Sequence, residues 1–303
     1  MSEHEHADSR RALEIMSQPL VLNTVADLRR RLTLWSGARE TVALVPTMGA
    51  LHAGHASLAK AARARADRCI VSIFVNPTQF AANEDFGSYP RSFASDLEQL
   101  GLEGVDAVFA PDATQMYPAG FATTISLKGP AEAGLEDKFR PTHFAGVATV
   151  VAKLLIQAMP DLAVFGEKDF QQLAVVRRLV RDLDLPVQIQ GAPTLREADG
   201  LAMSSRNVYL SAEERRTAPL LHRVLSAMAT QIASGASADE ALAHGREEIE
   251  QGGFALDYLD LRDADSLGPV QAGRAARLLV AARIGRTRLI DNIAVSFDRG
   301  EET

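Results

Sequence analysis

The first two-thirds of the chain alternates short apolar, β-branched runs with longer segments whose apolar residues recur at helical spacing. The apolar runs predict buried strands at residues 41–46, 69–75, 105–109, 162–165 and 187–189. The periodic segments predict helices at residues 56–68, 96–100, 144–158 and 169–183. This alternation is typical of a parallel sheet with helices on both faces. It predicts an α/β fold whose ligands bind at the carboxyl ends of the strands.

The pattern changes after about residue 193. Two amphipathic segments predict helices at residues 212–234 and 238–251. Apolar alternation then predicts a small antiparallel sheet with strands at residues 254–261, 277–282 and 288–293. The change predicts two domains, residues 1–193 and 194–303, with residues 1–18 as a flexible tail.

The charge of the chain argues against a nucleic-acid partner. Its 303 residues carry a formal net charge of −7, whereas proteins that bind nucleic acids usually present a basic face that replaces condensed counterions. A basic patch could still form from the arginines at Arg274, Arg277, Arg283, Arg286 and Arg288. We instead expect these arginines at the solvent face and the ends of the small sheet. A nucleotide remains compatible, because a local pocket can be positive inside an acidic protein.

Cysteine content and targeting signals indicate the compartment. Cys69 is the one cysteine of the chain, so no intrachain disulfide can form and a reducing compartment is expected. It lies in a predicted buried strand with no neighbour that would lower its pKa, which disfavours a catalytic thiol. Residues 1–11 lack the apolar stretch of a signal peptide, and no apolar run reaches the roughly 20 residues that span a bilayer. We expect a cytoplasmic protein without a membrane segment.

The strongest candidate for a phosphate site is Pro-Thr-Met-Gly-Ala-Leu-His-Ala-Gly-His at residues 46–55. It follows a predicted strand and opens a helix, so free backbone N–H groups and the positive end of the helix dipole would face a ligand. Gly49 and Gly54 allow close approach to the backbone, and His52 and His55 can donate hydrogen bonds to phosphate oxygens. The alternatives are turn histidines satisfied by backbone groups and a metal pair, although no third ligand of suitable spacing is evident.

Three further segments carry polar side chains at predicted strand ends or near the domain boundary. In residues 165–172 a lysine suits phosphate and an aspartate can cap the helix; an ordinary turn with solvated charges is the alternative. Residues 199–207 combine two serines with an arginine, which would make a phosphate clamp or simply a helix-entry loop. In residues 74–80, Gln79 could hold a polar substrate or only satisfy the turn. Because three of the four segments favour phosphate, the residues by themselves predict a nucleotide site at the strand ends.

Taken together, these segments resemble the pantothenate synthetase family, within the wider His-x-Gly-His nucleotidyl-transferring superfamily. The matching blocks occur in the family's order at residues 46–55, 74–80, 140–144, 165–172 and 199–207. The resemblance implies a Rossmann-like N-terminal domain with a smaller α+β C-terminal lid domain, usually as a homodimer. It implies that the protein uses ATP to condense (R)-pantoate with β-alanine to pantothenate, a coenzyme A precursor. The implied reaction passes through a pantoyl adenylate and releases AMP and pyrophosphate.

The resemblance also implies roles for individual residues. ATP would be bound by Met48, Gly49, Ala50, Leu51, His52, Ala53, Gly54, His55, Gly166, Glu167, Lys168, Asp169, Leu195, Met203, Ser204, Ser205 and Arg206. The catalytic candidates among them are His52, His55, Lys168 and Arg206, with His55 as proton donor. Pantoate would be held by Gln79, which also lies next to β-alanine, and by Gln172, in a site that includes Asn76, Val150 and Val151. Mg²⁺ would accompany ATP, with Asp96 and Gln99 as candidate ligands.

The chain departs from the family's pattern at a few positions. Ala53 stands where glutamate is common, Phe170 where tyrosine is frequent, and Ser95 where an acidic or amide residue is often found. The last departure weakens the assignment of magnesium ligands to this stretch.

Three rival functions share parts of the pattern. An adenylyltransferase would leave AMP on its product, and the two glutamine-containing blocks disfavour it. A class I aminoacyl-tRNA synthetase shares the His-x-Gly-His motif, but the acidic charge and modest size disfavour tRNA. A nucleotide-sensing module would bind ATP without releasing pyrophosphate.

Overall fold

The computed structural model of the chain describes residues 18–80, 84–271 and 273–296. All but the last residue of the predicted flexible tail lie outside these ranges. Contacts between residues divide the chain into two compact units. Unit 1 comprises Met1–Ser126, Thr142–Gly166 and Val176–Ala192, and unit 2 comprises Leu127–Pro141, Glu167–Val175 and Pro193–Thr303. Unit 2 therefore takes in two short segments of the first two-thirds of the chain besides everything after residue 192.

Unit 1 is built on a six-stranded parallel sheet. Its strands are β1 (Leu20–Leu22), β2 (Val42–Thr47), β3 (Arg68–Ile73), β4 (Ala107–Phe109), β5 (Leu162–Gly166) and β6 (Gln188–Ala192). Their order across the sheet is β1-β4-β3-β2-β5-β6, and neighbouring strands run parallel. The predicted α/β class with a parallel sheet is confirmed.

Helices connect these strands. They are α1 (Val25–Gly37), α2 (Ala53–Arg63), α3 (Phe93–Leu102), α4 (Ala113–Met116), α5 (Glu136–Phe139), α6 (His143–Ala158) and α7 (Phe170–Asp182). Of these, α5 belongs to unit 2, and α7 begins in unit 2 and ends in unit 1. Among the described residues, no helix has both the length and the apolar character needed to cross a bilayer.

The strand order places a topological switch point beside β2. From β2 the chain moves to β3 and β4 on one side, and it then crosses to β5 and β6 on the other. Ligands of open α/β sheets bind outside the carboxyl ends of the strands at such a point. Thr47 and Gly166, the last residues of β2 and β5, therefore mark where a ligand of this sheet is expected.

The central strands are buried on both faces. β2 and β3 each bury four consecutive residues, which explains why they read as continuous apolar runs rather than as an alternation. Cys69 lies in β3 and is fully buried. Burial raises the pKa of its thiol to about 12, so the thiol is protonated at neutral pH and poorly nucleophilic. The prediction of a buried strand around this cysteine is confirmed.

The start of the chain contains elements that the hydrophobic pattern does not predict. β1 and α1 both precede residue 41. Thr24 caps α1 by accepting the N–H of Asp27 at 3.1 Å. The residues that α1 buries, Leu28, Leu32 and Trp35, lie on one face. The hydrophobic pattern of these two elements is weak, because β1 has only three residues and α1 carries exposed arginines between its buried residues.

Unit 2 is built on an antiparallel sheet, as predicted. Its strands pair in the order β7 (Ala255–Asp263), β8 (Ala276–Ile284) and β9 (Thr287–Val295). Its later helices are α8 (Ala212–Thr217), α9 (Leu220–Ala233) and α10 (Ala238–Gln251). The single helix predicted over residues 212–234 is interrupted at Pro219, which has no N–H to donate, and α9 begins directly after it.

The two faces of this sheet are covered differently. Val280 packs with apolar residues of α9 and α10, whereas Leu279 packs with Phe170 on the opposite face. Arg277 and Arg288 have side chains that are only 12% and 15% exposed. The prediction that the arginines of this region face solvent is wrong for these two, because each has a carboxylate partner inside unit 2.

Candidate active site

The loop between β2 and α2, residues 48–52, follows the strand at the switch point directly. Gly49 and Ala50 have φ values of +78° and +51°, a conformation that glycine adopts readily and alanine rarely. A Cβ atom at Gly49 would lie 3.1 Å from Ile73 Cγ2 and 3.2 Å from Asp96 Oδ2. The β2–α2 loop is therefore a tight turn that needs glycine at this position and a partner that stabilises its shape.

Asp96 of α3 is that partner, and it is 2% exposed. Its Oδ2 accepts the N–H of Ala50 and its Oδ1 accepts the N–H of Leu51, both at 3.0 Å. Ser92 Oγ donates to Oδ1 at 2.9 Å. Successive N–H groups in such a turn form an anion-binding concavity, and here the anion is a side chain of the protein. The prediction that free N–H groups of this loop face phosphate is wrong for Ala50 and Leu51.

The same contacts bear on the predicted magnesium ligands Asp96 and Gln99. Both carboxylate oxygens of Asp96 already accept hydrogen bonds. Within the part of the chain that the structure describes, no group of three or more His, Cys, Asp or Glu side chains is arranged to hold a metal ion. The magnesium site stays a prediction, and these contacts favour another role for Asp96.

His52 and His55 cap α2, which begins at Ala53 and so precedes its predicted start. His52 Nδ1 accepts the N–H of Gly54 at 3.1 Å, and His55 Nδ1 accepts the N–H of His52 at 3.3 Å. An accepting Nδ1 carries no proton, so each neutral ring has its N–H at Nε2. The ring centroids are 4.2 Å apart. Each histidine thus accepts a backbone N–H at Nδ1 and has its donor at Nε2, and the two rings lie next to each other.

After β3, Asn76 caps the 3-10 turn Pro77–Gln79 and Gln79 ends it. Both amide side chains are predicted to hold substrate. Asn76 Nδ2 donates to Gln79 Oε1 at 3.1 Å and to Gly146 O at 3.2 Å. Gln79 Nε2 lies 2.8 Å from Met48 Sδ. Asn76 therefore sets the orientation of the Gln79 amide, with its oxygen toward Asn76 and its NH₂ group toward the β2–α2 loop.

The N-terminal part of α6 supports this turn. A Cβ atom at Gly146 would lie 2.4 Å from Thr78 O and 2.8 Å from Gln79 N, so only glycine lets the helix approach this closely. His143 donates from Nδ1 to Gln79 O at 2.9 Å. Val150 and Val151, which are predicted to line the pantoate site, lie further along α6 and are buried.

In unit 2, the chain that follows β5 forms the 3-10 turn Glu167–Asp169 and then enters α7. We call Glu167–Asp169 the Lys168 turn. The side chain of Lys168 is 20% exposed, with Nζ 3.9 Å from Asp169 Oδ2. Asn292 of β9 donates from Nδ2 to the carbonyl oxygens of Glu167 and Lys168, at 2.9 and 2.8 Å. The lysine predicted to meet phosphate therefore lies on a turn that the C-terminal sheet holds.

The two adjacent glutamines of α7 have different environments. Gln171 is buried and donates from Nε2 to Pro130 O and Asp137 Oδ1, both at 2.8 Å. Its Oε1 accepts the N–H of Glu136 at 2.9 Å. Gln172, the predicted pantoate ligand, is partly exposed. Gln171 is not among the predicted site residues; its helical spacing from the apolar residues of α7 is the feature that distinguishes it from Gln172.

The remaining residues predicted to bind ATP lie in one loop of unit 2. The N–H of Met203 donates to Leu195 O at 3.0 Å. Ser204 Oγ accepts the N–H of Arg206 at 3.2 Å at the start of the 3-10 turn Ser205–Tyr209. The Met203–Leu195 hydrogen bond folds the loop so that Leu195 lies beside Met203.

Each unit by itself gathers part of the predicted site. Unit 1 brings residues 48–55 next to Gln79 through Met48. Unit 2 contains the Lys168 turn, Gln172 and the loop at residues 195–206. The first group supplies imidazole and amide donors, and the second supplies cationic side chains. Both kinds of group stabilise negative charge on phosphate oxygens.

Residues 20–294 match the family model described as pantoate-beta-alanine ligase. The chain belongs to this family. Among its curated relatives, the pantothenate synthetase of Bradyrhizobium sp. (strain BTAi1 / ATCC BAA-1182) is 58% identical over 279 residues, which are 91% of this chain and 99% of the relative. That of Rhodopseudomonas palustris (strain HaA2) is 57% identical over 279 residues, with the same coverage of 91% and 99%.

Solved structures of the pantoate–β-alanine ligase family have the same fold. The pantothenate synthetase from Thermus thermophilus is 48% identical, with a TM-score of 0.85 over 91% of this chain and 99% of that one. The pantoate-beta-alanine ligase from Francisella tularensis, complexed with beta-gamma ATP and beta-alanine, is 33% identical, with a TM-score of 0.76 over 91% and 97%. The predicted class, a Rossmann-like parallel sheet with a smaller α+β C-terminal part, is confirmed.

Proposed function

We propose that this member of the pantoate–β-alanine ligase family uses ATP to condense (R)-pantoate with β-alanine through a pantoyl adenylate. The observation that carries the proposal is the histidine pair at the switch point. Both Nδ1 atoms are bonded to the backbone, so His52 and His55 are oriented with their donors at Nε2. The identity of 58% to a pantothenate synthetase and the Francisella tularensis complex with beta-gamma ATP and beta-alanine support the choice of substrates.

In the first step, a carboxylate oxygen of pantoate attacks the α-phosphorus of ATP. A new P–O bond forms, the bond from the α-phosphorus to the bridging oxygen breaks, and pyrophosphate leaves with the electron pair. Negative charge grows on the phosphoryl and leaving oxygens, so the protein contributes mainly positioning and charge stabilisation.

Four side chains supply that stabilisation in the proposal. His52 and His55 donate hydrogen bonds from Nε2 to the phosphate oxygens, so His55, the implied proton donor, acts in this step as a hydrogen-bond donor. Lys168 acts as a point charge, and Arg206 offers a planar set of donors that matches a phosphate group. The other proposed ATP contacts are backbone and side-chain groups of residues 48–51, 53, 54, 166, 167, 169, 195 and 203–205. For Ala50 and Leu51 these exclude the N–H groups, which Asp96 accepts.

Glutamine amides hold pantoate. Because Asn76 engages Gln79 Oε1, Gln79 directs its NH₂ group away from Asn76 and toward Met48 Sδ; in the proposal this NH₂ group holds pantoate. Gln172 is the second amide. A neutral amide orients the carboxylate but stabilises its charge less than an arginine would, which preserves its nucleophilicity. Val150 and Val151 form the apolar side of this site.

In the second step, the amine of β-alanine attacks the acyl carbon of the adenylate next to Gln79. The C–N bond forms, the bond from the acyl carbon to the phosphate oxygen breaks, and AMP leaves. The ammonium product of this attack loses a proton to solvent water to give the amide pantothenate.

Mg²⁺ is part of the proposal as the ion that accompanies ATP. The described residues do not fit a site in which the protein alone holds the ion, because Asp96 already accepts three hydrogen bonds. The ligands we propose are the nucleotide phosphates rather than Asp96 and Gln99. A homodimer in the cytoplasm completes the proposal and rests on the family resemblance; a sedimentation mass of one chain per particle would contradict the dimer.

The test is an omission assay with the full chain. Purified protein receives ATP, Mg²⁺, pantoate and β-alanine, each is omitted in turn, and AMP and pyrophosphate are measured by chromatography. We expect free AMP in amounts beyond the enzyme concentration only when both organic substrates are present. Without β-alanine, pyrophosphate should stop at about one equivalent per site.

Two outcomes would contradict this function. Free AMP that forms without pantoate or β-alanine would indicate simple ATP hydrolysis. AMP that stays on the product would indicate an adenylyltransferase.

A further inference from the structure

The face of the C-terminal sheet opposite α9 and α10 carries a network of hydrogen bonds and one cation–π contact. It consists of Asn292 of β9, Arg277 of β8, Glu167 and Lys168 of the Lys168 turn, and Phe170 at the start of α7. We call these residues the Asn292 network. All of them belong to unit 2.

Asn292 is the centre of the network and is 3% exposed. Its Nδ2 donates to Glu167 O at 2.9 Å and to Lys168 O at 2.8 Å. Its Oδ1 accepts from Arg277 Nε at 2.7 Å. The side chain thus uses both amide hydrogens and its oxygen, and these bonds determine which end of the amide faces the turn.

Arg277 braces Asn292 from the neighbouring strand. Besides its bond to Asn292, it donates to Glu167 Oε2 at 3.0 Å, and its guanidinium lies 4.2 Å from the centroid of the Phe170 ring. Phe170 is buried. These three contacts fix the position of the Arg277 guanidinium, so its hydrogen bond to Asn292 is maintained.

The two carbonyl groups that Asn292 binds are those on either side of the Lys168 Cα atom. Glu167 O belongs to the peptide unit before this atom, and Lys168 O belongs to the peptide unit after it. Holding both peptide units restrains φ and ψ of Lys168, and these angles set the direction in which its side chain leaves the backbone. The contacts join residues 125 and 124 positions apart, so the local sequence of the turn does not supply this restraint.

We propose that Asn292, braced by Arg277, is a positioning residue that directs the Lys168 ammonium group in adenylate formation. The inference rests on the proposed function, because it concerns the step in which Lys168 stabilises the phosphate charge. Asn292 does not touch the substrate in this assignment; it acts through the backbone of the turn.

The test uses Asn292→Asp in the full chain. The carboxylate keeps an acceptor for Arg277 but has no hydrogen to donate to either carbonyl group. We expect pyrophosphate release in a single turnover with ATP and pantoate to slow by about 10²-fold, the effect of a misplacement near 1 Å. In the Lys168→Ala background, the same substitution should leave the already lowered rate nearly unchanged, since its target is gone.

If Asn292 acted only by stabilising the fold, another destabilising substitution in unit 2 would slow the reaction as well. Val280→Ala creates a cavity on the opposite face of β8 and lowers the melting temperature without touching the turn. We expect it to leave the single-turnover rate near that of the wild type. If Asn292→Asp does not fold, Asn292→Ala, which removes the donors without adding charge, is measured in the same way.

Effects of Asn292→Asp and Lys168→Ala that multiply in the double variant would overturn the inference, as would a wild-type rate in Asn292→Asp. Failure of the proposed function is recognised separately, because the wild-type protein would then release no pyrophosphate with ATP and pantoate.

Discussion

The β2–α2 loop of unit 1 and the Lys168 turn of unit 2 occupy the same kind of place in the sequence, since each follows a parallel strand and leads into a helix. Their shapes are stabilised differently. In the β2–α2 loop, His52 and His55 bind backbone groups within three residues of themselves, and Asp96 lies 45 and 46 positions away. The Lys168 turn depends on Asn292, more than 120 positions later.

This difference shows that one local pattern can be stabilised in two ways. In the first site, two side chains of the segment itself cap the helix, and Asp96 of α3 adds two hydrogen bonds to the loop. In the second site, Asn292 of the C-terminal sheet holds the two carbonyl groups on either side of the lysine.

The largest expected effect tests whether both regions act in the chemistry. His55→Ala and Lys168→Ala should each slow adenylate formation by about 10²–10³-fold, the loss expected for one charge-stabilising donor. The measurement is single-turnover pyrophosphate release. The control is His244→Ala, an exposed histidine of α10, which should not change the rate. A near-normal rate in either active-site variant would show that the region carrying that residue does not act in adenylate formation.

The next effect concerns the support of the β2–α2 loop. In Asp96→Asn, an NH₂ group replaces an oxygen that accepts a backbone N–H, leaving one buried donor without its acceptor. We expect the free energy of unfolding to fall by ~1–3 kcal/mol and adenylate formation to slow, both measured across a range of Mg²⁺ concentrations. Asp112→Asn, at an exposed helix cap, should be nearly neutral because asparagine caps equally well. A rate defect that high Mg²⁺ abolishes would instead assign Asp96 to the metal.

A steric change in α6 tests how the turn that carries Gln79 is supported. The added methyl group of Gly146→Ala would meet Thr78 O at 2.4 Å and displace the turn that carries Gln79. We expect a loss of ~1–3 kcal/mol in unfolding free energy and a higher KM for pantoate than for ATP. The matched control is Gly37→Ala, where an added Cβ meets no atom of the described residues within 4 Å. Equal rises in both KM values would argue against a specific effect on Gln79.

The smallest effect is a pH dependence of unit 2. Burial by itself would raise the pKa of Glu136, but hydrogen bonds and charge from Arg288, with Tyr258 and Arg140, bring it below its ordinary value of 4.5. The stability that the Glu136–Arg288 pair contributes is therefore present above pH 4.5 and is lost as the pH falls through the lowered pKa of Glu136.

Glu136→Gln should remove that contribution, about 1.5 kcal/mol for a charged hydrogen bond. Urea unfolding at neutral pH should show the loss, and the difference from the wild type should shrink in acid. Glu247→Gln, at an exposed position of α10, serves as the control. A difference that grows in acid would mean that the sign of the pKa shift is wrong.

Much of unit 1 could be predicted from the sequence. The central strands are continuous apolar runs because both faces are buried, and the motif at residues 46–55 follows one of them directly. The histidines could be selected as donors from residue type and position. Their tautomer could not, because it depends on which backbone N–H each Nδ1 accepts.

The errors share a physical cause, which is pairing across long separations. Arg277 and Arg288 have the composition of surface residues, and only the fold supplies the carboxylates of Glu167 and Glu136 that let them lie inside unit 2. Asp96 resembles a metal ligand by type, yet its partners are the N–H groups of a distant loop.

The sequence by itself determined the alternation of strands and helices, the small antiparallel sheet and the residue types that meet phosphate, because these follow from hydrophobic periodicity and from side-chain chemistry. The tertiary structure alone decided which N–H groups are already occupied, which of two adjacent glutamines is buried, and which distant amide holds Lys168 in place. Such contacts join residues that are far apart in the sequence, so they cannot be predicted from a local pattern.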